Sequence, residues 1–311
     1  MVKMISTFLF AVLLVSGCNA SGLAENNNSD KSVDLPSTVA AGAKLTVVYS
    51  DHIFFEGPTW DPKTGKLYFT AWGNKNKQVL RLDAPGKATV WMDDTAGVNG
   101  TFLSKTGTFL TAEVFAHQVC EYQIGDKPGD KKVLAHSTDW HQPNDLCQTS
   151  HGDIYFTDPD WANKTSSAVY RVSPSGVVTK VIDDMTIPNG IIASNDGRIL
   201  YVGDSNLKLW RSYPINPDGS LGSGKIFFNP SVDNKNDPDG MTIDEKGNLY
   251  FAGRGGVWVV TPKGKSLGLI AIPEFTSNVT FGGPLHKTLY MTCQDKVYSL
   301  EMAVKGKCTD K

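Results

Sequence analysis

The residues best suited to chemistry in this chain are six acids and amides that share one position of an internal repeat. They are Glu56, Asn99, Asn144, Asn189, Asp239 and Asn278. All six offer side-chain oxygen, the ligand atom that hard cations such as Ca²⁺, Mg²⁺ and Mn²⁺ prefer. If the fold brings them together, Glu56 and Asp239 repel each other unless a cation lies nearby. The pattern therefore predicts a divalent-cation site built from residues that are far apart in sequence.

The repeat itself is marked by short apolar strands centred on an aromatic residue. The central aromatics are Tyr68, Phe109, Tyr155, Tyr201, Tyr250 and Tyr290. They recur every 40 to 49 residues, which is enough chain for four short strands and their turns. A β-sandwich or a barrel does not predict such a period. We therefore expect an all-β fold, a six-bladed β-propeller with four-stranded antiparallel blades.

The two ends of the repeat predict how the ring closes. The last repeat ends near Glu301 after three strands, and an unassigned strand at residues 44–49 precedes the first repeat. This N-terminal strand is expected to close the ring as the outer strand of the sixth blade, which protects an open sheet edge. The innermost strands line the channel of a propeller, so the six polar positions at their starts should encircle its mouth. Any one of them alone could be a turn residue, but their common phase favours a site.

Several short motifs surround these positions. They read Glu56-Gly57-Pro58, Pro143-Asn144-Asp145, Thr157-Asp158-Pro159, Ile187-Pro188-Asn189-Gly190, Pro238-Asp239-Gly240-Met241 and Asn278-Val279-Thr280-Phe281-Gly282-Gly283. In this order they resemble the gluconolactonase, regucalcin (senescence marker protein, SMP-30) and luciferin-regenerating enzyme family of calcium-dependent six-bladed propellers. The resemblance covers about residues 50 to 300.

The resemblance implies a ligand set and a reaction. Glu56, Asn144, Asn189 and Asp239 would hold the metal, and Asp239 would also be the general acid and base in hydrolysis of a small-molecule lactone. Ca²⁺ is the expected ion, with Mg²⁺, Mn²⁺ and Zn²⁺ as alternatives. Asn99 and Asn278 match the same ring of positions without a defined role.

One departure from the family concerns the substrate. Gln142 stands where much of the family has an Arg that contacts sugar-lactone hydroxyls, which puts a gluconolactone-like substrate in doubt. His141 and Arg254 could replace that Arg at the rim of the pocket, or could simply be solvated. The sequence lacks a Gly-x-Ser-x-Gly elbow, a His-Glu-x-x-His motif and a complete P-loop, so other hydrolase classes lack their usual signatures.

Two alternatives to a lactonase follow from the same residues. A phosphotriesterase would use the same metal site with a more apolar pocket, whose walls could come from Trp60, Trp72, Trp140 and Trp161. A non-catalytic binding module would use the propeller as a docking platform with a structural ion.

The N-terminus predicts export. Residues 1–17 read as a lipoprotein signal peptide, and Val15-Ser16-Gly17-Cys18 resembles a lipobox with Cys18 as the lipidated residue. Residues 18–42 read as a flexible tether, residues 43–303 as the propeller and residues 304–311 as a C-terminal tail. We expect a lipid-anchored protein of the bacterial cell envelope, in the periplasm or at the outer membrane.

Composition excludes one partner class and leaves the cysteines open. The net charge is −2 and the basic residues are scattered, so no nucleic acid is expected as a partner. The remaining cysteines, Cys120, Cys147, Cys293 and Cys308, fit three disulfide pairings or buried free thiols. The sequence does not specify an oligomeric state.

Overall fold

The alternating apolar strands of the repeat form a ring of small sheets. The computed structural model describes residues 35–73, 77–230 and 237–307. Within these ranges the chain forms 24 β-strands in six four-stranded sheets, and it contains no helix there. The protein is therefore a six-bladed β-propeller with antiparallel blades, as the repeat predicts.

The first three blades follow one another along the chain. Blade 1 contains β2 (Phe54–Asp61), β3 (Lys66–Trp72), β4 (Lys77–Ala84) and β5 (Lys87–Met92). Blade 2 contains β6 (Val98–Leu103), β7 (Phe109–Glu113), β8 (Gln118–Tyr122) and β9 (Lys132–His136). Blade 3 contains β10 (Leu146–Gln148), β11 (Ile154–Asp158), β12 (Ala168–Val172) and β13 (Val178–Ile182).

The second half of the ring repeats the plan and then borrows a strand from the N-terminus. Blade 4 contains β14 (Pro188–Ala193), β15 (Ile199–Asp204), β16 (Leu209–Pro214) and β17 (Lys225–Phe228). Blade 5 contains β18 (Met241–Ile243), β19 (Leu249–Gly253), β20 (Gly256–Val260) and β21 (Ser266–Ala271). Blade 6 contains β22 (Thr276–Gly282), β23 (Thr288–Cys293), β24 (Lys296–Glu301) and β1 (Thr46–Ser50).

Strand β1 closes the ring in the predicted position. It runs antiparallel to β24, with Thr46 opposite Ser299 and Ser50 opposite Lys296. Its Val48 is buried in a hydrophobic cluster that also contains Phe55 of blade 1. The strand therefore covers the edge of β24 and ties the end of the propeller to its beginning.

The aromatic second strands fill the space between blades. Tyr68 packs edge-on against Phe109 of the next blade at 5.6 Å between ring centroids. Tyr250 packs in the same way on Phe281 of its neighbour, at 4.9 Å. A sheet covered on both faces has no solvent-facing side, so strands such as β7, β11 and β19 are buried at every residue. Large aromatics recur at this position because each blade needs the same thick apolar filling.

The strand directions define two faces of the ring. We call mouth face the end where the innermost strands begin and the second strands end, and distal face the opposite end. Both described terminal segments pack at the distal face, where Val39 bridges to Met302 and Gly306 bridges to Asp244. No helix in the described ranges is long and apolar enough to cross a membrane.

Three of the cysteines are buried free thiols. Cys120, Cys147 and Cys293 have no disulfide partner among the described residues. Burial raises the pKa of Cys147 and Cys293 to about 12, so these thiols stay protonated and unreactive at neutral pH. Cys308, the signal peptide and the lipidation position Cys18 lie outside the described residues.

Candidate metal centre

The six predicted positions all lie at the mouth ends of the innermost strands. Glu56, Asn99, Asn189 and Asn278 fall within β2, β6, β14 and β22, while Asn144 and Asp239 each precede the first residue of their strand by two. In β2, β6, β14 and β22 the pairing with the second strand is irregular next to this position. Such bulges bend a strand locally and redirect its side chains. The repeat thus presents one polar side chain per blade at the mouth.

Direct hydrogen bonds join members of this ring across the molecule. The Asn278 amide Nδ2 donates to Glu56 Oε2 at 3.0 Å. The same nitrogen donates to both carboxylate oxygens of Asp145, each at 3.1 Å. Blades 6, 1 and 3 therefore meet at a single amide group near the propeller axis.

Asp145 is a site residue that the sequence analysis did not select. Its carboxyl group is buried and belongs to the same charged cluster as Glu56 and Asp239. The centre therefore contains three carboxyl groups rather than the two that were predicted. Sequence reasoning concentrated on equivalent positions of the repeat, and Asp145 occupies the next one.

Glycine at that next position explains how the ring becomes so narrow. The ring residue is followed by Gly57, Gly100, Gly190 and Gly240 in four of the blades. A Cβ atom on Gly57 would overlap with the backbone oxygen of Asn99, and one on Gly240 would overlap with the Asn278 side chain. Blade 3 has Asp145 at this position, so a carboxylate occupies space that four of the other five blades leave to the backbone. A carboxylate at a position that is mostly glycine was the signal that could have identified it.

Three amide oxygens of the ring are buried without a hydrogen-bond partner. They are Oδ1 of Asn99, Oδ1 of Asn144 and Oδ1 of Asn189. Buried polar atoms in folded proteins nearly always have a partner, and an unpaired acceptor is destabilising. Amide oxygens are good ligands for Ca²⁺. Three such atoms beside three carboxyl groups fit a bound hard cation.

The carboxyl groups have strongly perturbed acidities. Burial raises the pKa of Asp145 to about 7. Burial and then the charge of Asp145 raise the pKa of Glu56, and burial with the charges of Glu56 and Asp145 raises the pKa of Asp239. None of the main causes is a Lys, Arg or His side chain. The cluster therefore concentrates negative charge that no basic group among the described residues offsets, and a divalent cation would do so.

The case for a cation depends on this mixed set of donors. In the described ranges, no group of three or more His, Cys, Asp or Glu side chains is arranged as a metal-binding cluster by itself. The amide oxygens are therefore essential to the site. An all-oxygen set of donors suits Ca²⁺, whereas a structural zinc site uses nitrogen and sulfur ligands.

The predicted rim residues lie on the mouth face, outside the ring. The backbone N–H groups of His141 and Gln142 donate to the buried Asp158 at distances of 2.7 to 3.0 Å. The His141 ring lies 3.8 Å from Asp160. Asp158 thus holds the loop that leads to Asn144, a positioning contact that the Thr-Asp-Pro motif marks in the sequence.

Arg254 has a partner of its own. Its guanidinium group bonds to Asp237 at 2.7 and 2.8 Å, and Asp237 also faces Lys208 at 3.5 Å. Asp237 precedes the ring residue Asp239 by two residues. Arg254 therefore sits beside the centre, but its charge is directed at a neighbouring carboxylate.

Comparison with known proteins places this geometry in a family. The family described as SMP-30/Gluconolactonase/LRE-like region matches residues 54–295, which covers five blades and the two inner strands of the sixth. The chain belongs to this family. The matched range contains all six ring positions and Asp145.

Individual members of the SMP-30/gluconolactonase family resemble the chain at moderate identity. It is 31% identical over 189 residues to a gluconolactonase of Zymomonas mobilis, a match that covers 54% of this chain and 52% of that protein. It is 26% identical over 241 residues to the pentonolactonase XacC of Haloferax volcanii, covering 76% and 80%. A solved gluconolactonase of Xanthomonas campestris superimposes with a TM-score of 0.74 at 25% identity, covering 86% of this chain and 92% of the other.

Proposed function

We propose that the protein is a lactonase whose centre is a divalent cation held by Glu56, Asn144, Asn189 and Asp239. The observation that carries the proposal is the convergence, at the propeller mouth, of three buried carboxyl groups with three buried amide oxygens that lack partners. The gluconolactonase and pentonolactonase among its relatives support a lactone as the substrate class. Ca²⁺ is the expected ion because every donor is oxygen, and Mg²⁺, Mn²⁺ and Zn²⁺ remain to be compared with it.

The proposed reaction opens the lactone ring with one water molecule. A bound cation would polarise the lactone carbonyl and acidify water close to it. The Asp239 carboxylate accepts a proton as the water oxygen bonds to the carbonyl carbon. When the ring C–O bond breaks, Asp239 returns this proton to the leaving alkoxide oxygen, and the product is a hydroxy acid.

The contacts around Asp239 suit that role. Burial raises its proton affinity, which brings a carboxyl group closer to the range useful for proton transfer near neutral pH. The Asn189 side chain hydrogen-bonds to Asp239 and donates through Nδ2 to Ser205 Oγ at 3.2 Å. These bonds restrict the orientation of the carboxylate before the substrate arrives.

Asn278 and Asp145 act as positioning residues in this scheme. The Asn278 amide nitrogen is committed to Glu56 and Asp145, and its oxygen accepts the Val279 N–H at 2.8 Å. Unlike the amide oxygens of Asn99, Asn144 and Asn189, that of Asn278 already has a hydrogen-bond partner. Asn278 instead fixes the two carboxylates from blades 1 and 3 relative to each other.

The decisive experiment measures turnover of a panel of aldonolactones and aliphatic lactones before chelation, after chelation and after Ca²⁺ is restored. We expect hydrolysis that disappears with chelator and returns with Ca²⁺, while circular dichroism shows intact blades. Loss of folding on chelation would indicate a structural ion and favour the binding module.

A folded, Ca²⁺-loaded protein that hydrolyses no lactone would reject the proposal and leave the phosphotriesterase to be tested. Two of the tryptophans considered for its apolar pocket pack elsewhere. Trp60 stacks on Tyr290, and Trp140 packs on Phe156. Trp140 precedes His141 on the mouth side but is buried, so Trp72 and Trp161 are the members of that set with exposed surface at the mouth face.

We also propose that the protein is exported and lipid-anchored through Cys18. The support is the sequence of residues 1–18, in which a short apolar run ends at Val15-Ser16-Gly17-Cys18. Labelled palmitate should enter the wild-type protein in cells and should not enter the Cys18→Ser variant. Equal labelling of both would contradict the anchor.

A further inference from the structure

Large exposed hydrophobic side chains are distributed unevenly between the two faces. In the described ranges, the strongly exposed aromatic residues are Phe54, Phe115 and Trp161, at 38%, 59% and 41% exposure. All three lie on the mouth face, at the start of β2 and in the loops after β7 and β11. Leu207, 48% exposed, joins them in the loop after β15. We call these four residues the apolar arc.

Each member of the apolar arc is linked to a ring residue. The link is either a short separation in sequence or a single contact to a residue near the ring position. Phe54 precedes Glu56 by two residues. The Phe115 N–H donates to the oxygen of Ala96 at 2.9 Å, three residues before Asn99. The arc therefore begins beside the ring positions of blades 1 and 2.

The same holds for the other two members. Trp161 follows Asp160, which faces His141, three residues before Asn144. Leu207 lies two residues after Ser205, whose hydroxyl accepts the Asn189 amide. The arc thus continues past the ring positions of blades 3 and 4.

The remaining exposed hydrophobics have an ordinary explanation. Val47, Val90, Val133, Val178 and Ile226 lie on the outermost strands, where β-branched residues suit the strand conformation. Val177 and Leu285 lie in distal turns, and Leu35 begins the described N-terminal segment, which packs at the distal face. Isolated exposed aliphatics are normal on protein surfaces, but aromatics gathered around a reactive centre are typical of a binding site.

Charged groups on the mouth face are largely paired with one another. Arg254 bonds to Asp237, which also faces Lys208 at 3.5 Å, and the His141 ring lies 3.8 Å from Asp160. Side chains engaged in this way are poor donors for the several hydroxyl groups of a sugar. Gln142, in the position that is Arg in much of the family, adds no charge.

From these observations we infer that the substrate is a lactone with an apolar substituent, an alkyl or aryl group that lies on the apolar arc while the lactone carbonyl reaches the ring. This inference rests on the proposed lactonase function and specifies its substrate class. Each substituent methylene that leaves water on the arc is expected to raise affinity about fourfold. A polyhydroxylated lactone would gain nothing from the same surface.

The test compares lactones that share a ring and differ in the substituent. For the Ca²⁺-loaded protein we expect kcat/KM for γ-decalactone to exceed that for γ-butyrolactone by at least about tenfold, and to exceed that for glucono-δ-lactone. The double variant Trp161→Gln/Leu207→Gln should lower the decalactone to butyrolactone ratio by about tenfold. The control Val177→Gln/Leu285→Gln removes two hydrophobics of the distal face that are more exposed than the arc pair, and it should preserve the ratio.

A binding measurement separates recognition from turnover. The lactam analogue of γ-decalactone should bind more tightly than unsubstituted γ-butyrolactam in calorimetric titrations, with and without chelator. The arc variant should lose this difference and the distal control should retain it.

The possible outcomes are distinguishable. Turnover of glucono-δ-lactone with no preference for γ-decalactone, and equal binding of the two lactams, would overturn the inference and leave the lactonase proposal intact. No turnover of any lactone would overturn the proposed function itself. A ratio that falls equally in the arc variant and the distal control would also overturn the inference.

Discussion

The second strands and the ring positions follow the same repeat but have opposite requirements. The aromatics of the second strands are nearly interchangeable, because every blade must fill the same space against its neighbour. The ring positions differ from blade to blade, as Glu56, Asn144 and Asp239 show. The comparison indicates that residue types repeat from blade to blade where every blade has the same packing. They differ where each blade contributes a different group to one site.

The sharpest test of this contrast is Asp239→Asn. If Asp239 moves the proton, kcat should fall by about a thousandfold, within the range observed for general acid and base groups. Folding should not suffer, because a carboxyl group whose pKa is raised in the folded state opposes folding above its ordinary pKa. The thermal midpoint in chelator should therefore equal or exceed that of the wild type. A variant that loses activity only because it unfolds would contradict the assignment.

The opposite behaviour is expected at Phe109 in β7. This residue is fully buried between Tyr68 and Trp91, with ring centroids 5.6 and 5.0 Å away. Phe109→Ala should lower the free energy of unfolding by about 3–5 kcal/mol, without a comparable loss of activity per folded molecule. Denaturant unfolding and active-fraction assays measure the two quantities. Phe109→Leu, as the conservative control, should cost clearly less than Phe109→Ala, because it removes fewer buried atoms.

A smaller effect is expected from Asp145→Asn. This carboxylate accepts the Asn278 amide and adds charge to the centre, so its loss should weaken Ca²⁺ binding about 10- to 100-fold, as for other residues that orient metal ligands. Asp153→Asn is the matched control, because Asp153 is also a buried carboxylate but is paired with Arg171. Calorimetric titration with Ca²⁺ measures the difference. Equal losses of Ca²⁺ affinity in both variants would show that Asp145 has no specific role in the metal centre.

Much of the architecture could be predicted from the sequence. The six aromatic strands, the closing strand β1 and the six ring positions all follow from a period, and a period depends on packing that every blade shares. Single-residue features were less accessible. The contact of Asp145 with Asn278 joins blades 3 and 6 across the ring, and the pairing of Arg254 with Asp237 depends on the course of two loops.

The glycines beside the ring show the same limit. Their sequence context suggests turns, and positive φ does occur at Gly57. At Gly190 the requirement is different, because the residue lies where the backbones of blades 4 and 5 meet. This close approach between distant segments becomes visible only when the blades are assembled.

Gly190→Ala should therefore produce the smallest of these effects, yet one that distinguishes the ring from an ordinary loop. An added Cβ would overlap with the backbone oxygen of Asp239, so the two blades must separate at the centre. We expect a loss of about 1–3 kcal/mol in the free energy of unfolding, the range for overpacking, together with weaker Ca²⁺ binding. Gly125→Ala is the control, since its nearest neighbour is the Lys127 oxygen at 3.3 Å and it lies outside the ring. If both variants bind Ca²⁺ equally well, the close contact between blades 4 and 5 does not shape the site.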